Sequence, residues 1–393
     1  MQIDELDIET MLSGKPPVHE ELLAAMTLGR DRWLNHLRDH YLANYIADGG
    51  SKVKVLVGGT GTGKTHLLRS VLQDAQTIGY QTVYLSAREY RLNDLPGFYR
   101  AIVQQIDKQK LVSGLCQLVI KKLGYGQYDD RDNILSILIE DQGLTRDLAV
   151  HEIRRAIGMT LRDVDFGSSF RAFAHHVISN RLVNGNEDSI KVGLRWLAGE
   201  KLERHQKQAT LLYERLQKSN ARYWLNSLIR LLHLAGMTGL VVAIDDLEAM
   251  TERHPETRRF KYTANAIKDT CELFRQVIDD VELLDHFLLL LAGRREMIDD
   301  DRRGFKSYEA LWMRLQTGLL PIDRFNPLAD IVDTDIHLVA QGKSFPDQVQ
   351  ARLKVLFEEA GYEVSDREPP DLYEYSQLQA KVIETTLMAL DEG

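Results

Sequence analysis

An α/β fold built on a mostly parallel sheet is what this sequence predicts, and three observations predict it. An apolar run, Lys52 to Val57, ends at Gly58 and leads into the helical stretch His66 to Leu72. Three more apolar runs follow: "QTVYLSA" (Gln81 to Ala87), Leu240 to Ile244, and "HFLLLLAGRREM" (His286 to Met297). Helical stretches separate these runs, as crossovers between parallel strands require. A short last strand is expected in "GLLPIDRF", Gly318 to Phe325.

The junction after the first run carries the chemistry. Gly58-Gly59-Thr60-Gly61-Thr62-Gly63-Lys64-Thr65 fits G-x-x-x-x-G-K-[ST], with a strand before it and a helix after it. Glycines let the backbone wrap closely and turn its N–H groups onto phosphate oxygens. The helix beginning there, from His66, adds the positive end of its dipole. Lys64 can reach the β- and γ-phosphates as a point charge, and Thr65 offers a hydroxyl to Mg²⁺. The expected nucleotide-binding set is therefore Gly58 through His66, with a nucleoside triphosphate and Mg²⁺ as the ligands.

A magnesium-bearing acid should stand at the end of another buried strand. In "GLVVAIDDLEAM", Gly239 to Met250, Asp245 follows the apolar run directly and is the expected second Mg²⁺ residue. Asp246 and Glu248 are the candidates to polarise an attacking water, because a carboxylate beside the γ-phosphate is what hydrolysis needs.

The rest of the chain is helical in pattern. Glu20 to Tyr45 precedes the sheet. Between residues 97 and 236 come Phe98–Leu123, Asp132–Glu140, Thr145–Thr160, Ser168–Leu182, Ile190–Gln206 and Ala209–Leu234, without a convincing strand. Asp347–Ala360 and Leu372–Leu390 follow the sheet, divided by the double proline of "GYEVSDREPPD". The expected organisation is residues 1–97 as N-terminal helices and the first half of the core, 98–236 as a helical insertion, 237–326 as the second half, and 327–393 as a helical, lid-like region.

Composition sets the class. The 393 residues are 44% hydrophobic and 27% charged, as in globular proteins, and no apolar run is long enough for a membrane span. The opening "MQIDELDIET" lacks the basic and apolar regions of a secretory signal. Two cysteines in no metal-type spacing fit a reducing compartment, so a cytoplasmic setting is expected. A net charge of −9 gives nucleic-acid binding no general support and leaves it to a local patch.

Several stretches carry a family resemblance. "GRDRWLNHL" ahead of the glycine loop resembles the entry segment of AAA+ ATPases of the origin-recognition and STAND type. "YIADGGSKVKVLVGGTGTGKTHLLR", "LSAREYRLNDLPGFYRAIVQQI", "LRWLAGEKL", "GLVVAIDDLE" and "LLAGRREMIDDDRRGFKSYEALWMRL" resemble the ATP-binding proteins of BREX bacteriophage-exclusion systems, the BrxD-like family. The resemblance implies an AAA+-like P-loop ATPase of a phage-defence locus that assembles with its own copies and with other defence proteins. It implies a Gly29-Arg30 pair near the adenine. It also implies an arginine supplied by the neighbouring subunit, for which Arg314 is the matching position and Arg302 and Arg303 are poorer ones. Three departures bear on hydrolysis rate. Arg294 and Arg295 stand where a small polar γ-phosphate sensor is usual, the acidic pair is Asp-Asp, and only Arg367 is left as a lid sensor.

One basic stretch remains. "TERHPETRRFKY" sets Arg253, Arg258, Arg259 and Lys261 beside Phe260 and Tyr262, which reads either as a double-stranded DNA contact or as a solvated face. His36 and His40 share a helix face without a third ligand. Two functions fit: an ATPase that hydrolyses ATP to assemble on or remodel DNA or a defence complex, or a nucleotide-gated switch or scaffold that recruits partners with little turnover.

Overall fold

The computed structural model describes residues 3–279, 283–315, 325–365 and 372–390. Its strands are β1 (Ser51–Val57), β2 (Gln81–Ser86), β3 (Leu240–Asp245), β4 (Phe287–Gly293) and β5 (Ile331–Asp333). They form one all-parallel sheet in the order β2-β3-β4-β1-β5. Because β4 lies between β1 and β3, the glycine loop after β1 and the acids after β3 open on the same carboxyl edge, one strand apart. Open parallel sheets bind ligands at that edge.

Alternating side chains serve two cores. Val53, Val55, Val57, Val242, Ile244, Leu289 and Leu291 face one layer. Leu56, Val241, Ala243, Leu288 and Leu290 face the other. The second layer holds the entry segment and α4 (Lys64–Ile78), the helix that follows the glycine loop. The first holds the long helical stretch between β2 and β3 together with α13 (Ala264–Asp279).

Within that stretch every described element is helical: α5 (Leu95–Gln105), α6 (Lys108–Lys122), α7 (Ile134–Gln142), α8 (Arg146–Arg162), α9 (Ser168–Ser179), α10 (Glu187–Leu197), α11 (Arg204–Thr210) and α12 (Ala221–Leu234). Sequence periodicity merges some of these. Asp107 caps α6, accepting from Lys110 N–H at 2.9 Å, so Phe98–Leu123 is two helices. Gly199 and Leu211 take left-handed backbone and interrupt the expected helices Ile190–Gln206 and Ala209–Leu234.

The ends of the chain share a third core. The short helices α1 (Glu5–Leu12) and α2 (Glu20–Met26) contribute Met11, Leu22 and Met26. They pack on Leu353, Phe357 and Val382 of α17 (Phe345–Glu359) and α18 (Gln377–Leu390). The expected helix Glu20–Tyr45 is broken. It stops at Met26, Gly29 turns left-handed at φ 63°, and a 3-10 turn (Arg30–Arg32) leads to the short helix α3 (Leu34–His36) and a π-helix (Leu37–Tyr45).

The last strand also differs. Apart from Phe325, the expected Gly318–Phe325 strand lies outside the described residues, as does Arg367. The observed edge strand, Ile331–Asp333, is three residues long, too short to give a periodic signal. It is fixed from below by Lys54, fully buried in β1. The Lys54 ammonium donates to the Leu328 and Ala329 carbonyls (3.2 and 2.9 Å) and sits 4.4 Å from the Tyr41 ring centre. Burial pushes its pKa down to about 8.

Candidate nucleotide site

A cavity opens where the glycine loop, the post-β3 acids and both chain ends meet. Thr60 through Leu67, Asp245, Asp246, Glu248 and Arg294 line one side. Gly14–Pro16, Met26–Leu28, His337, Leu338, Phe345, Val349, Leu378, Gln379 and Val382 line the other.

Gly63 shows why the loop needs glycine. Its φ is 87°, and a Cβ there would meet nothing within 4 Å, so the requirement is backbone conformation rather than space. Lys64 folds back on its own loop and donates to the Gly58 and Gly59 carbonyls at 3.1 and 2.5 Å. Burial lowers its pKa, and Glu248, Asp245 and Asp335 oppose that shift. Thr65 donates to Asp245 at 2.6 Å, and Tyr84 from β2 donates to the same oxygen at 2.9 Å. The residues paired in the sequence as magnesium holders are therefore in contact, although 180 positions apart.

Asp246 holds a left-handed backbone, φ 59°. Asp tolerates this region better than most residues, but it still costs energy. The turn directs its carboxylate to the Ser86 hydroxyl (2.6 Å) and to Arg88 (3.3 Å). Glu248 accepts from the Arg294 N–H at 3.2 Å and pairs with Arg88 at 3.2 Å. Behind both acids sits Glu252, gripped by Arg88 (2.7 and 2.8 Å), Arg294 (2.5 Å) and Lys261 (2.7 Å). Hydrogen bonds from Arg88, then Lys261, outweigh burial and hold the Glu252 carboxyl at about 2.

Motif reading does not reach several of these groups. Asp335, on α16 (Thr334–Gln341), accepts from the Gly59 N–H at 3.1 Å, so a carboxylate occupies an amide of the loop. The Thr334 and Thr62 hydroxyls touch at 2.6 Å. Gly58 and Gly59 lie behind these contacts, outside the cavity lining. Arg295 turns away to Asp333 and Asp335. The signal in the sequence is the acidic-hydroxyl run "VDTD" after the edge strand, which carries no motif.

The Gly29-Arg30 pair is not on the cavity wall; Thr27 and Leu28 are. Arg30 is ion-paired with Asp74 on α4. Gly29 leaves room for Gln341, which a Cβ would strike. Gln341 donates to the Gly29 carbonyl at 3.0 Å and to His337 Nε2 at 3.1 Å. On the facing helix, Thr27 donates to the Leu23 carbonyl at 2.5 Å and so accepts from His66 Nε2 at 2.9 Å. Burial lowers both imidazoles to about 4, keeping them neutral.

The remaining candidates lie off the cavity. Beyond the short helix α14 (Glu296–Asp299), Arg314 on α15 (Glu309–Leu315) pairs with Asp279 and donates to the Ala310 carbonyl at 2.6 Å. In the basic stretch, Arg253 and Phe260 form an antiparallel bridge. Phe260 lies between the guanidiniums of Arg253 and Arg303, 3.9 and 3.3 Å from its ring centre. Lys261 is committed to Glu252. Arg258 and Arg259 are exposed and make no ion pair to another described residue. His36 and His40 stack without joining any metal-type cluster among the described residues.

A parallel sheet with a glycine loop at the carboxyl end of β1, leading into a helix, defines a P-loop NTPase-like core. The family model described as "BREX system ATP-binding protein BrxC/D" matches residues 8–375. The chain belongs to that family, as the resemblance implied, and is an ATP-binding protein of a phage-defence system. No curated protein and no solved structure matches it. Among the described residues, no helix is long and apolar enough to cross a membrane.

Proposed function

We propose that the chain is an AAA+-like ATPase in which hydrolysis drives assembly on, or remodelling of, DNA or a defence complex. The observation that carries this reading is the Thr65–Asp245 contact of 2.6 Å at the start of α4. A hydroxyl and a carboxylate are hard oxygen donors of the kind magnesium takes, so this pair fits the ion. Thr65 and Asp245 would hold Mg²⁺, which would neutralise charge on the β- and γ-phosphates. Lys64 would leave the Gly58 and Gly59 carbonyls for the phosphates. Asp246 or Glu248 would orient the attacking water, with Arg88 paired to both carboxylates and Arg294 to Glu248.

Arg314 would act on the next subunit's nucleotide after leaving Asp279, which makes turnover a property of a homo-oligomer. Arg258 and Arg259 are the cations that remain available to double-stranded DNA, with Arg253 and Lys261 bracing their loop. We read 98–236 as an inserted docking unit and 327–393 as the lid-like region, in a cytoplasmic protein.

A second reading, the nucleotide-gated switch, is favoured by the ion pairs that occupy Asp246 and Glu248 and by the Asp335 carboxylate on Gly59. Steady-state phosphate release and solution mass, measured over protein concentration with and without duplex DNA, separate the two. The ATPase reading expects turnover that rises with concentration and collapses in Arg314→Ala. Turnover near zero at every concentration, with ATP still bound, overturns it in favour of the switch.

A further inference from the structure

The base-facing half of the cavity has a hydrogen-bonding polarity. Thr62 and Thr334 touch at 2.6 Å. His337 lies three residues beyond Thr334 on α16, a spacing that keeps both on one helix face, and His66 lies in the first turn of α4, just past the loop that carries Thr62. Thr62 and both imidazoles line the cavity.

Their outer nitrogens differ. The Thr27 hydroxyl has one proton and gives it to Leu23, so His66 Nε2 carries hydrogen and its Nδ1 is a bare acceptor. Gln341 donates to His337 Nε2, so His337 Nδ1 carries the hydrogen and is a donor. The Gln341 amide cannot be reversed, because its oxygen would then face the Gly29 carbonyl. Neither Nδ1 has a partner among the described residues, and neither is sealed from solvent. Around them stand Met26, Leu28, Phe345 and Val349, apolar walls suited to the faces of a flat ring.

We infer that His66 and His337 are the adenine-selecting residues of this site, reading the 6-amino group and an adjoining ring nitrogen. His66 Nδ1 accepts from the exocyclic N–H, and His337 Nδ1 donates to N1 or N7. Guanine presents a 6-oxo group in place of that amine and sets two acceptors against each other at His66, whichever edge it offers. An unpaired buried polar group discriminates more strongly than a lost apolar contact. The inference rests on the nucleotide-site reading above and adds which base is chosen, and by what.

Titration calorimetry of the full chain in Mg²⁺ with ATP, GTP and purine riboside triphosphate, which lacks the 6-amino group, tests it. GTP and the purine riboside should each bind roughly tenfold or more weakly than ATP. Of 1-deaza- and 7-deaza-ATP, one should lose roughly tenfold on the intact chain, and His337→Ala should weaken ATP by a similar factor without further weakening that analogue. Equal affinity for ATP, GTP and the purine riboside overturns the inference while leaving the phosphate site standing. Binding of none of them removes the nucleotide-site reading as well.

Discussion

The two halves of the cavity are built on opposite principles. The half to which we assign the phosphates, the phosphate half, is charged and comes from short motifs: a glycine loop with Lys64 and Thr65, then Asp245, and Asp246 and Glu248, which pair with Arg88. The half to which we assign the base, the base half, is apolar with two imidazoles, and comes from segments more than 300 positions apart, Met26–Leu28 and the helices after β5. Each piece of the first half is encoded locally, and the parallel sheet brings the pieces to one edge. The second half exists only where the two ends of the fold pack together. Affinity should therefore depend on the phosphate half, and the shape and polarity of the base half on long-range packing.

The largest expected effect falls on the phosphate half. Lys64→Ala should weaken Mg-ATP binding by about 3 kcal/mol, roughly 100-fold, through loss of charge-assisted bonds to phosphate, as calorimetry would read. Affinity within twofold of the parent would remove Lys64 from the site and break the contrast.

Gly29→Ala probes the base half. The alanine must hold φ 63° and displaces Gln341, so the fold should lose about 1–3 kcal/mol and His337 its fixed tautomer. Urea midpoints measure the first effect and the ATP-to-GTP affinity ratio the second. An unchanged ratio would show that long-range packing does not set the polarity of that half.

The smallest effect sharpens what charge does beside the phosphate half. Glu252 has its carboxyl depressed to about 2 in the folded chain. Its contribution is present above the ordinary glutamate value of 4.5 and is lost as pH falls toward 2. Glu252→Gln should therefore lower thermal stability near pH 7 by about 1 kcal/mol and flatten its decline between pH 5 and 3. An unchanged acid decline would assign it to other carboxylates, Glu272 among them, which Arg275 also holds at about 2.

The halves differ equally in how far the sequence revealed them. The glycine loop, Asp245 and the strands β1 to β4 were legible because each is encoded within a dozen residues by composition and spacing. The place of Arg294 on the cavity wall was half-legible, visible as a departure from a small polar residue. Tyr84, Ser86 and Arg88 were not, because an end-of-strand residue meets β3 only through sheet order. Asp335 and His337 follow an edge strand of three residues, where no period can register. Gly29 follows the cavity-lining Leu28 but is not itself on the wall. Its link to the cavity is the Gln341 amide, which no local pattern encodes.

One amide ties these segments at their rim. The Gln379 side chain, at the start of α18, donates to the Gly14 carbonyl at 3.1 Å, while the adjacent Ser376 hydroxyl donates to the Gly61 carbonyl at 3.0 Å. The head and tail of the chain are thus stitched across the mouth of the glycine loop. A triphosphate settling against Gly61 would tug that seam, and the turn at Gly14 and the start of α18 would register the tug together.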